Sequence, residues 1–476
     1  MKEKFYITTA IAYGNASPHI GHALEFVMGD TYARHYKLLG KETYFVTGMD
    51  EHGQKIEAKA KEIGIAPQEL VDRTSKEFQE LDNTLGVDYD FFVRTSDKEK
   101  HYKGAQELWR RLVEKGDIEK RKYEGIYCVG CEAFKKESDL NEKGECPIHL
   151  IKPEIIEEEN YFFKLSKYSS QIREKIATDE LKIYPESRKN EILAFIDRGL
   201  EDVSFSRPKE KVSWGIPVPE DDSHVMYVWC DALSNYITAI GYGSDSFRTD
   251  LWNSATHLIG KDILRFHAAI WPGMLLSAGL PLPKSILVHG FITSGGQKMS
   301  KTIGNVIDPK EIIEMLRPAC GDLAGEALRF VLLHEVPTFD DGDLTIESIK
   351  SAYNSYLANG LGNLTSRVMK LSSEYLSGDK ETELKPLELS DFNIKKSLET
   401  ITREITALDE VIQKDEAFKV IKIDSGKGEE LIRKHRELLK NIVFKLSPFI
   451  PQTSQIILEC IKNNKMPEKP LFGRLN

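Results

Sequence analysis

The chain has 476 residues, of which 41% are hydrophobic and 29% charged, and its formal net charge is −10. A chain of this length needs more than one hydrophobic core, so two to four domains are expected. The composition is not that of a disordered or fibrous protein. The negative net charge argues against a protein that binds nucleic acid over its whole surface, although it is compatible with a local basic groove.

The N-terminal segment lacks the apolar core of a signal peptide, and the sequence contains no apolar run long enough for a membrane span. Six cysteines are too few for a disulfide scaffold in so long a chain, and three of them fall within nineteen residues, which favours a metal site. We therefore expect a protein of the reducing cytoplasm with no membrane partner.

The first hundred residues alternate between strand-like and helix-like patterns. FYITTAIAY predicts a strand, ALEFVMGDTYARHYKLLG a helix, TYFVTGMD a strand and HGQKIEAKAKEIG a helix. This order indicates a parallel α/β sheet with crossover helices.

Near residue 117 the pattern breaks into a segment rich in Gly, Lys, Glu and Cys, and apolar α/β character returns only at HVMYVWCDALSNYI. After about residue 345, apolar residues recur at three- and four-residue spacing, which predicts a helical bundle. The predicted fold is an α/β domain split by an insertion and followed by an all-α bundle. Its boundaries are residues 1–116 and 221–300 for the two halves of the α/β domain, 117–220 for the insertion, 301–350 for a loop and linker region, and 351–476 for the bundle.

The stretch SPHIGHALEF places two histidines at a glycine-containing turn that leads into a helix. Free backbone N–H groups and the helix dipole make such a turn a phosphate site, although the usual glycine-rich fingerprints are absent here. Gly21 would let a flat nucleotide ring approach the backbone. His19 and His22 could donate hydrogen bonds to phosphate oxygens as charge develops. Taken alone, the pattern fits equally well a surface helix start with incidental histidines.

The stretch GGQKMSKTIGN follows the apolar strand SILVHGFI and contains Lys298 and Lys301. Lysines on a mobile Gly-rich loop suit the transient neutralisation of a triphosphate. A solvated basic loop is the alternative for this stretch alone.

Three cysteines and one histidine of the insertion form two pairs with metal-ligand spacing, Cys128-x-x-Cys131 and Cys146-x-x-His149. This spacing suits a tetrahedral Zn²⁺. Four protein ligands leave no open coordination position, so the predicted metal is structural rather than catalytic.

Together, PHIGH and KMSKT in a split α/β domain resemble the signatures of class I aminoacyl-tRNA synthetases. Further segments resemble the methionyl-tRNA synthetase family in order: TTAIAYGNASPHIGHALEF, GMDEHGQKI, EENYFFKLSKY, WGIPVP, YVWCDALSNYI, HLIGKDILRFHAAIWP and KMSKTIGNVIDP. The resemblance implies a split Rossmann-like α/β nucleotide-binding domain with a zinc-containing connective insertion, then the KMSKT loop and a stem-contact linker region, and finally an all-α anticodon-binding bundle. It also implies activation of L-methionine by ATP and Mg²⁺ to methionyl-adenylate, followed by transfer to tRNA(Met). The insertion is too short for the editing domain of the leucine, isoleucine and valine enzymes.

Position by position, the resemblance implies catalytic roles for His19, Gly21, His22, Lys298 and Lys301. It implies ATP contacts for His19, His22, Gly260, Asp262, Lys298, Met299, Ser300, Lys301 and Thr302. It assigns the α-ammonium group of methionine to Asp50 and the side-chain pocket to Ile11, Tyr13, Trp229, Ala232, Leu233, Tyr236, Ile263, His267 and Trp271.

The pocket residues suit a thioether, which is flexible and polarisable and packs well on aromatic faces. Tyr13 and His267 could offer polar contacts to sulfur and so help to exclude leucine and isoleucine. For Trp229 and Trp271 alone, ordinary core packing is the alternative.

The bundle departs from the family in the region expected to recognise the CAU anticodon. The family usually has an Asn and, nine residues on, a Pro-Trp pair; this chain has Asp409 and Ala417-Phe418. Phe418 can still stack on a base. An ionised Asp409 can only accept hydrogen bonds, so it would face different base edges.

Three interpretations follow from this departure. We favour a methionyl enzyme that recognises CAU differently. The alternatives are a divergent paralogue that adenylates methionine with altered tRNA specificity, and one that makes the adenylate but has lost the charging of tRNA. A non-enzymatic RNA-binding or scaffold protein is a distant fourth interpretation. Many relatives continue into a dimer-forming domain beyond the point where KPLFGRLN ends, so we expect a monomer.

Overall fold

The first strand and helix form where the sequence predicts them. Alternating apolar residues produce β1 (Lys4–Thr9), which is buried along most of its length. The following polar turn ends at His19, whose side chain caps α1 (Ile20–Leu38). The bundle helices likewise bury one face each, as their three- and four-residue spacing predicts.

A computed structural model describes residues 2–130, 133–135, 137–147, 150–299, 306–378 and 384–475. Five residues with predicted roles lie outside the described residues: Cys131, His149, Ser300, Lys301 and Thr302.

The elements follow one another along the chain in four stretches. The first contains β1, β2 (Ala12–Tyr13), α1, β3 (Glu42–Asp50), α2 (Gln54–Ile63), α3 (Pro67–Leu85), β4 (Phe91–Arg94) and α4 (Lys103–Glu114). The second contains β5 (Ile118–Cys128), β6 (Ala133–Lys135), β7 (Glu154–Phe163), α5 (Ser169–Ala177), β8 (Lys182–Tyr184), α6 (Glu186–Asp197), β9 (Val203–Ser204), β10 (Ser206–Pro208) and β11 (Pro217–Val218). The third contains β12 (Asp221–Met226), α7 (Val228–Thr238), α8 (Thr249–Trp252), β13 (Ala255–Gly260), α9 (Trp271–Ser277), β14 (Ser285–His289), β15 (Ile292–Ser294) and β16 (Gln297–Lys298). The fourth contains α10 (Pro309–Cys320), α11 (Ala324–Glu335), β17 (Gly342–Asp343), α12 (Ile346–Ala352), α13 (Asn363–Tyr375), α14 (Ile394–Asp415), α15 (Ala417–Ile423), α16 (Ser425–Leu446) and α17 (Pro451–Asn463).

The main sheet is parallel, with strands in the order β2-β3-β1-β13-β14-β8 and β4 also paired to β3. Because β1 has β3 on one side and β13 on the other, the strand order reverses at β1. Ligands of α/β proteins bind beyond the carboxyl ends of the strands at such a reversal. The predicted parallel α/β sheet and helical C-terminal region are confirmed. One edge strand, β8, comes from the range 117–220 that the sequence assigns to the insertion.

Each face of the sheet is covered by its own hydrophobic cluster. One cluster joins α1 and α11 to the bundle and includes Phe26, Phe330 and Ile442. The other joins α4, α7 and α9 to the insertion and includes Trp109 and Phe163. The bundle therefore packs directly on the α/β domain through a continuous apolar core.

Two buried side chains of α11 bind the end of the bundle, and one of them also binds α1. Arg329 donates from Nε to Phe449 O (2.6 Å) and from Nη2 to Pro448 O (3.0 Å), and it forms an ion pair with Asp30. Glu326 accepts from the backbone N–H of Thr453 (2.7 Å) and so caps the start of α17. The loop between α16 and α17 is thereby linked through Arg329 to α1, the helix that His19 caps.

None of the helices in the described part of the chain is both long and apolar enough to cross a membrane.

Candidate active site

The start of α1 is built by its two histidines. Nδ1 of His19 accepts from the backbone N–H of Gly21 (3.1 Å), and Nδ1 of His22 accepts from the backbone N–H of His19 (3.2 Å). The two rings stack with centroids 3.8 Å apart, and His22 meets Phe78 edge-on. A Cβ at Gly21 would lie 3.0 Å from His19 Cε1, so glycine leaves room for this arrangement.

This capping fixes the proton positions of both rings. A backbone N–H must donate, so each Nδ1 is the acceptor and a neutral ring carries its proton on Nε2. Burial and the neighbouring His19 ring lower the pKa of His22 well below the ordinary histidine value. His22 is therefore neutral at physiological pH and retains an Nε2–H donor at the N-terminus of the helix.

The stretch GGQKMSKTIGN is called the lysine loop below, and hydrogen bonds to other parts of the protein hold the chain at its start and just after it. Gly295 and Gly296 turn the chain with φ of 62° and 72°, and the N–H of Gly296 donates to Asp343 Oδ1 (2.7 Å). Met299 packs on the main core. Past the loop, Ile307 O accepts from the N–H of Ile20 (3.3 Å), so the chain returns to the first turn of α1. The backbone of Lys298 lies in β16.

Gly260 and Asp262, both predicted to contact ATP, lie where β13 ends. A Cβ at Gly260 would lie 2.9 Å from Asp262 Oδ1 and 3.9 Å from the ring of His289, which ends β14. His289 in turn approaches Glu25 of α1. Glu25 and His289 were missed by the sequence analysis; their signals are the Glu three residues after His22 and the His-Gly pair that ends the strand before the lysine loop.

The residues of the predicted methionine pocket come from four places near the strand ends. Tyr13 is in register with Asp50 on the neighbouring strand. Tyr236, His267 and Trp271 are fully buried, while Trp229 is half-buried and stacks on Phe266 with centroids 3.8 Å apart. The remaining predicted residues are the half-buried Ile11 and Ile263 and the buried Ala232 and Leu233.

His267 has both ring nitrogens engaged within the protein. Nδ1 donates to Ile263 O (3.0 Å), and Nε2 therefore accepts from Tyr236 OH (2.7 Å). Burial lowers the pKa of His267 to about 4, although the bond to Ile263 opposes the shift. A direct hydrogen bond from this neutral ring to sulfur would require Tyr236 to move. His257, also buried and missed from the sequence, continues the aromatic cluster by accepting from Trp271 Nε1 (3.2 Å).

A buried network lies beyond the end of the strand that carries Asp50. Asp231 Oδ2 pairs with His52 Nδ1 (2.6 Å) and Asp231 Oδ1 pairs with His101 Nε2 (2.7 Å). Burial opposes ionisation of Asp231, but the two histidines keep its pKa below the ordinary value. This network joins the segment GMDEHG to α7, which carries several predicted pocket residues. The sequence analysis assigned it no role.

The two predicted anticodon-recognition residues lie on the bundle in different settings. Asp409 forms an ion pair with Arg367 and accepts from Gln413 Nε2 (2.6 Å). Phe418 is 49% exposed on the short helix α15, beside Lys419. The carboxylate is thus held by its own chain, whereas the aromatic ring faces outward.

Two of the four predicted zinc ligands belong to the described residues. Cys128 ends β5, and the carbonyl of Cys146 accepts from the backbone N–H of Leu150 (2.8 Å). Both thiols are fully buried, yet neither belongs to the hydrophobic clusters of the described part of the chain. Buried thiols outside an apolar core fit soft metal ligands. Lys55 donates to Gly130 O between the two cysteine positions and lies 5.6 Å from the ring of Tyr13.

Comparison with known proteins gives a consistent result. The family model described as tRNA synthetases class I (M) matches residues 5–151 and 142–369. A methionine–tRNA ligase from Brucella suis biovar 1 (strain 1330) is 38% identical over 488 residues, covering 97% of this chain and 92% of the relative. One from Caldanaerobacter subterraneus subsp. tengcongensis is 45% identical over 380 residues, covering 79% of this chain and 58% of the relative.

Solved structures agree. The Mycobacterium tuberculosis methionyl-tRNA synthetase in complex with methionyl-adenylate superimposes with a TM-score of 0.90 at 33% identity, covering 99% of this chain and 100% of that one. The apo form of the same enzyme gives a TM-score of 0.83 at 30% identity, covering 100% and 99%. The chain therefore belongs to the methionyl-tRNA synthetase family of class I aminoacyl-tRNA synthetases.

Proposed function

We propose that the chain activates L-methionine with ATP to give methionyl-adenylate and transfers the methionyl group to tRNA(Met). The observation that carries the proposal is the start of α1, where backbone N–H groups donate to Nδ1 of His19 and of His22, so that each neutral ring carries its proton on Nε2. The bond from Ile20 N–H to Ile307 O brings the exit of the lysine loop to the same turn. A reaction at the phosphates of ATP requires hydrogen-bond donors that point at phosphate oxygens and cations, such as loop lysines, that neutralise the phosphate charge.

In the proposed reaction, the methionine carboxylate attacks the α-phosphate in line and pyrophosphate leaves. His22, neutral and preorganised, would donate through Nε2–H to a phosphate oxygen as its charge grows, with His19 beside it. Lys298 and Lys301 would neutralise the departing pyrophosphate together with the Mg²⁺ that accompanies ATP. Positioning and charge stabilisation then supply the rate acceleration, without a covalent enzyme intermediate.

Selection of methionine would rest on Asp50 and the aromatic pocket. An ionised Asp50 beside Tyr13 suits an α-ammonium group. Tyr236 and His267 present a rigid, hydrogen-bonded wall on which a polarisable thioether packs well. Since His267 is already engaged, we propose that van der Waals fit and sulfur–aromatic contact contribute more to selection than a bond from this imidazole.

We further propose that residues 117–220 act as a connective insertion in which a Cys–Cys pair and a Cys–His pair hold a structural Zn²⁺. Cys128, Cys131, Cys146 and His149 would be its ligands, and the ion would hold the two turns together. Lys55 spans from Gly130 to Tyr13, so order in this turn would support the methionine pocket.

The zinc proposal predicts about one zinc ion per purified chain, as expected of a four-ligand structural site. Cys128→Ser is expected to lose most of this zinc and to make the segment around Gly130 sensitive to protease, because metal binding supplies the folding energy of such turns. Cys320→Ser is the matched control, since Cys320 is a buried thiol within a hydrophobic cluster. If elemental analysis found no zinc in the unsubstituted chain, the proposed structural zinc site would be wrong.

Residues 351–476 are proposed to bind the anticodon. The alternative of a paralogue with lost tRNA specificity is not favoured, because full-length methionine–tRNA ligases align through the bundle as well as the catalytic domain. The exposed ring of Phe418 is the candidate for base stacking. Asp409 is held by Arg367, so its proposed part is to set the position of that cation beside the RNA rather than to contact a base.

Phe418→Ala is expected to lower kcat/KM for a tRNA transcript with a CAU anticodon by about 5- to 150-fold, the range that loss of one stacked base implies. The rate of ATP–pyrophosphate exchange should be unchanged, because the substitution lies on the bundle. The measurement is charging with labelled methionine of two transcripts that differ only in the anticodon.

Ile423→Ala is the matched control for Phe418, because Ile423 is 89% exposed on the same helix but has no ring to stack. Equal charging of both transcripts by the unsubstituted chain, with adenylate still formed, would support the paralogue instead. Absence of ATP–pyrophosphate exchange with methionine would contradict the proposed function itself.

A further inference from the structure

A histidine and a glutamate outside the predicted site join the two signature segments. His289 ends β14, the strand that leads into the lysine loop, and is in register with Gly260. Glu25 lies on α1, three residues after His22. The His289 and Glu25 side chains are 8% and 13% exposed, so both groups are largely withdrawn from water.

The hydrogen bonds of His289 require a particular protonation state. Nδ1 donates to the carbonyl of Gly290 (2.8 Å), which leaves only Nε2 to face Glu25 Oε2 at 3.4 Å. A neutral ring would then direct a lone pair at a carboxylate, whereas an imidazolium donates a charge-assisted bond. The other oxygen of Glu25 accepts from the backbone N–H of Ala10 at the end of β1 (2.7 Å).

The charges around His289 favour the imidazolium. Glu25 faces it from α1 and Asp262 from the turn after β13. Behind Gly290 lie Asp340 and Asp341, and Asp341 is itself paired with Lys261. Burial alone would lower the pKa of His289, but the bond and charge of Glu25 outweigh it and the pKa is raised.

We propose that His289, as an imidazolium, is a positioning residue for adenylate formation. It would hold Glu25, which lies on α1 and binds the backbone at the end of β1. Through Glu25 it would keep α1, with His22 and the capping His19, against β14, the strand that leads into the lysine loop. The inference rests on the proposed function. Because the pKa is raised, the charged form is present below the folded-state pKa and is lost as the pH rises through it. The ATP-dependent step should therefore weaken on the alkaline side through this ionisation.

The test is ATP–pyrophosphate exchange between about pH 6 and about pH 9. His289→Leu is expected to raise KM for ATP about 10- to 100-fold at the acidic end, the effect of removing a hydrogen bond between charged groups. KM for methionine should stay within about twofold. His289→Gln supplies a neutral donor, so it should lose less. Both variants should lose the alkaline ionisation from kcat/KM for ATP.

Two further variants separate positioning from general damage. Glu25→Gln combined with His289→Leu should be no worse than the more severe single variant, because both remove the same interaction. His224→Gln is the control, since His224 is a buried histidine bonded to Glu159 O on β7. If His289→Leu does not fold, His289→Gln and Glu25→Gln carry the same test.

The outcomes are distinct. Variants that keep the KM for ATP and the pH profile of the unsubstituted chain would overturn the role of His289 while leaving the proposed function intact. Equal increases in KM for ATP and for methionine would also overturn it, because a general loss of structure moves both. An unsubstituted chain with no exchange at all would remove the proposed function.

Discussion

Replacement of His22 by alanine is expected to slow methionyl-adenylate formation by about 10²- to 10³-fold, the usual cost of losing one preorganised donor to a developing oxyanion. The dissociation constant for methionine should change by less than about twofold, because the lost interaction belongs to the transition state. The capping of α1 explains the size of the effect. Nδ1 of His22 is occupied by the N–H of His19, so Nε2–H is aimed and ready before the substrate binds.

The measurement is single-turnover adenylate formation, paired with methionine binding by equilibrium dialysis. His22→Gln is the informative second variant, because Gln at the third helical position can still accept from the capping backbone N–H. It should preserve the helix start and recover part of the rate. If His22→Ala weakened methionine binding as much as it slowed adenylate formation, the histidine would serve the fold rather than the chemistry.

Features encoded within one stretch of sequence were predictable. The turn before α1, the glycine turn before Lys298 and the apolar faces of the bundle helices all depend on residues a few positions apart. The parallel sheet followed from the alternation of strands and helices. The short strand β8, Lys182–Tyr184, carries no such periodicity, and only its pairing with β14 makes it part of the main sheet.

Partners far apart in the sequence were not predictable from local pattern. Asp409 is predicted to face a base as a hydrogen-bond acceptor, and its pairing with Arg367 on another helix has no signal in the local pattern. His289 and Glu25 come from opposite ends of the catalytic domain and meet only because β14 lies near β1 in the sheet. The bond between Tyr236 and His267, which occupies Nε2 of the imidazole, likewise depends on how α7 packs against the helical segment Phe266–Ile270.

Replacement of Arg329 by methionine is expected to lower the free energy of unfolding by about 3–5 kcal/mol, because removing one partner of a buried ion pair leaves a buried charge behind. Arg329 and Asp30 are both fully buried, and the guanidinium also satisfies the carbonyls of Pro448 and Phe449. Methionine has a similar length but donates nothing. The measurement is urea unfolding followed by circular dichroism.

A double-mutant cycle distinguishes this mechanism from simple loss of packing. Asp30→Asn together with Arg329→Met should cost less than the two single changes added, because neither charge then remains buried alone. Arg317→Met is the surface control: Arg317 pairs with Glu314 in water, so its unfolding midpoint should not move. Additive costs in the cycle would mean that Arg329 stabilises the fold through the loop carbonyls of the bundle. In that case hydrogen bonds to the loop carbonyls, rather than the ion pair, would hold the bundle to the catalytic domain. The ion pair with the partly exposed Arg34 and the hydrogen bond from the N–H of Asp88 would then be enough to stabilise the Asp30 carboxylate.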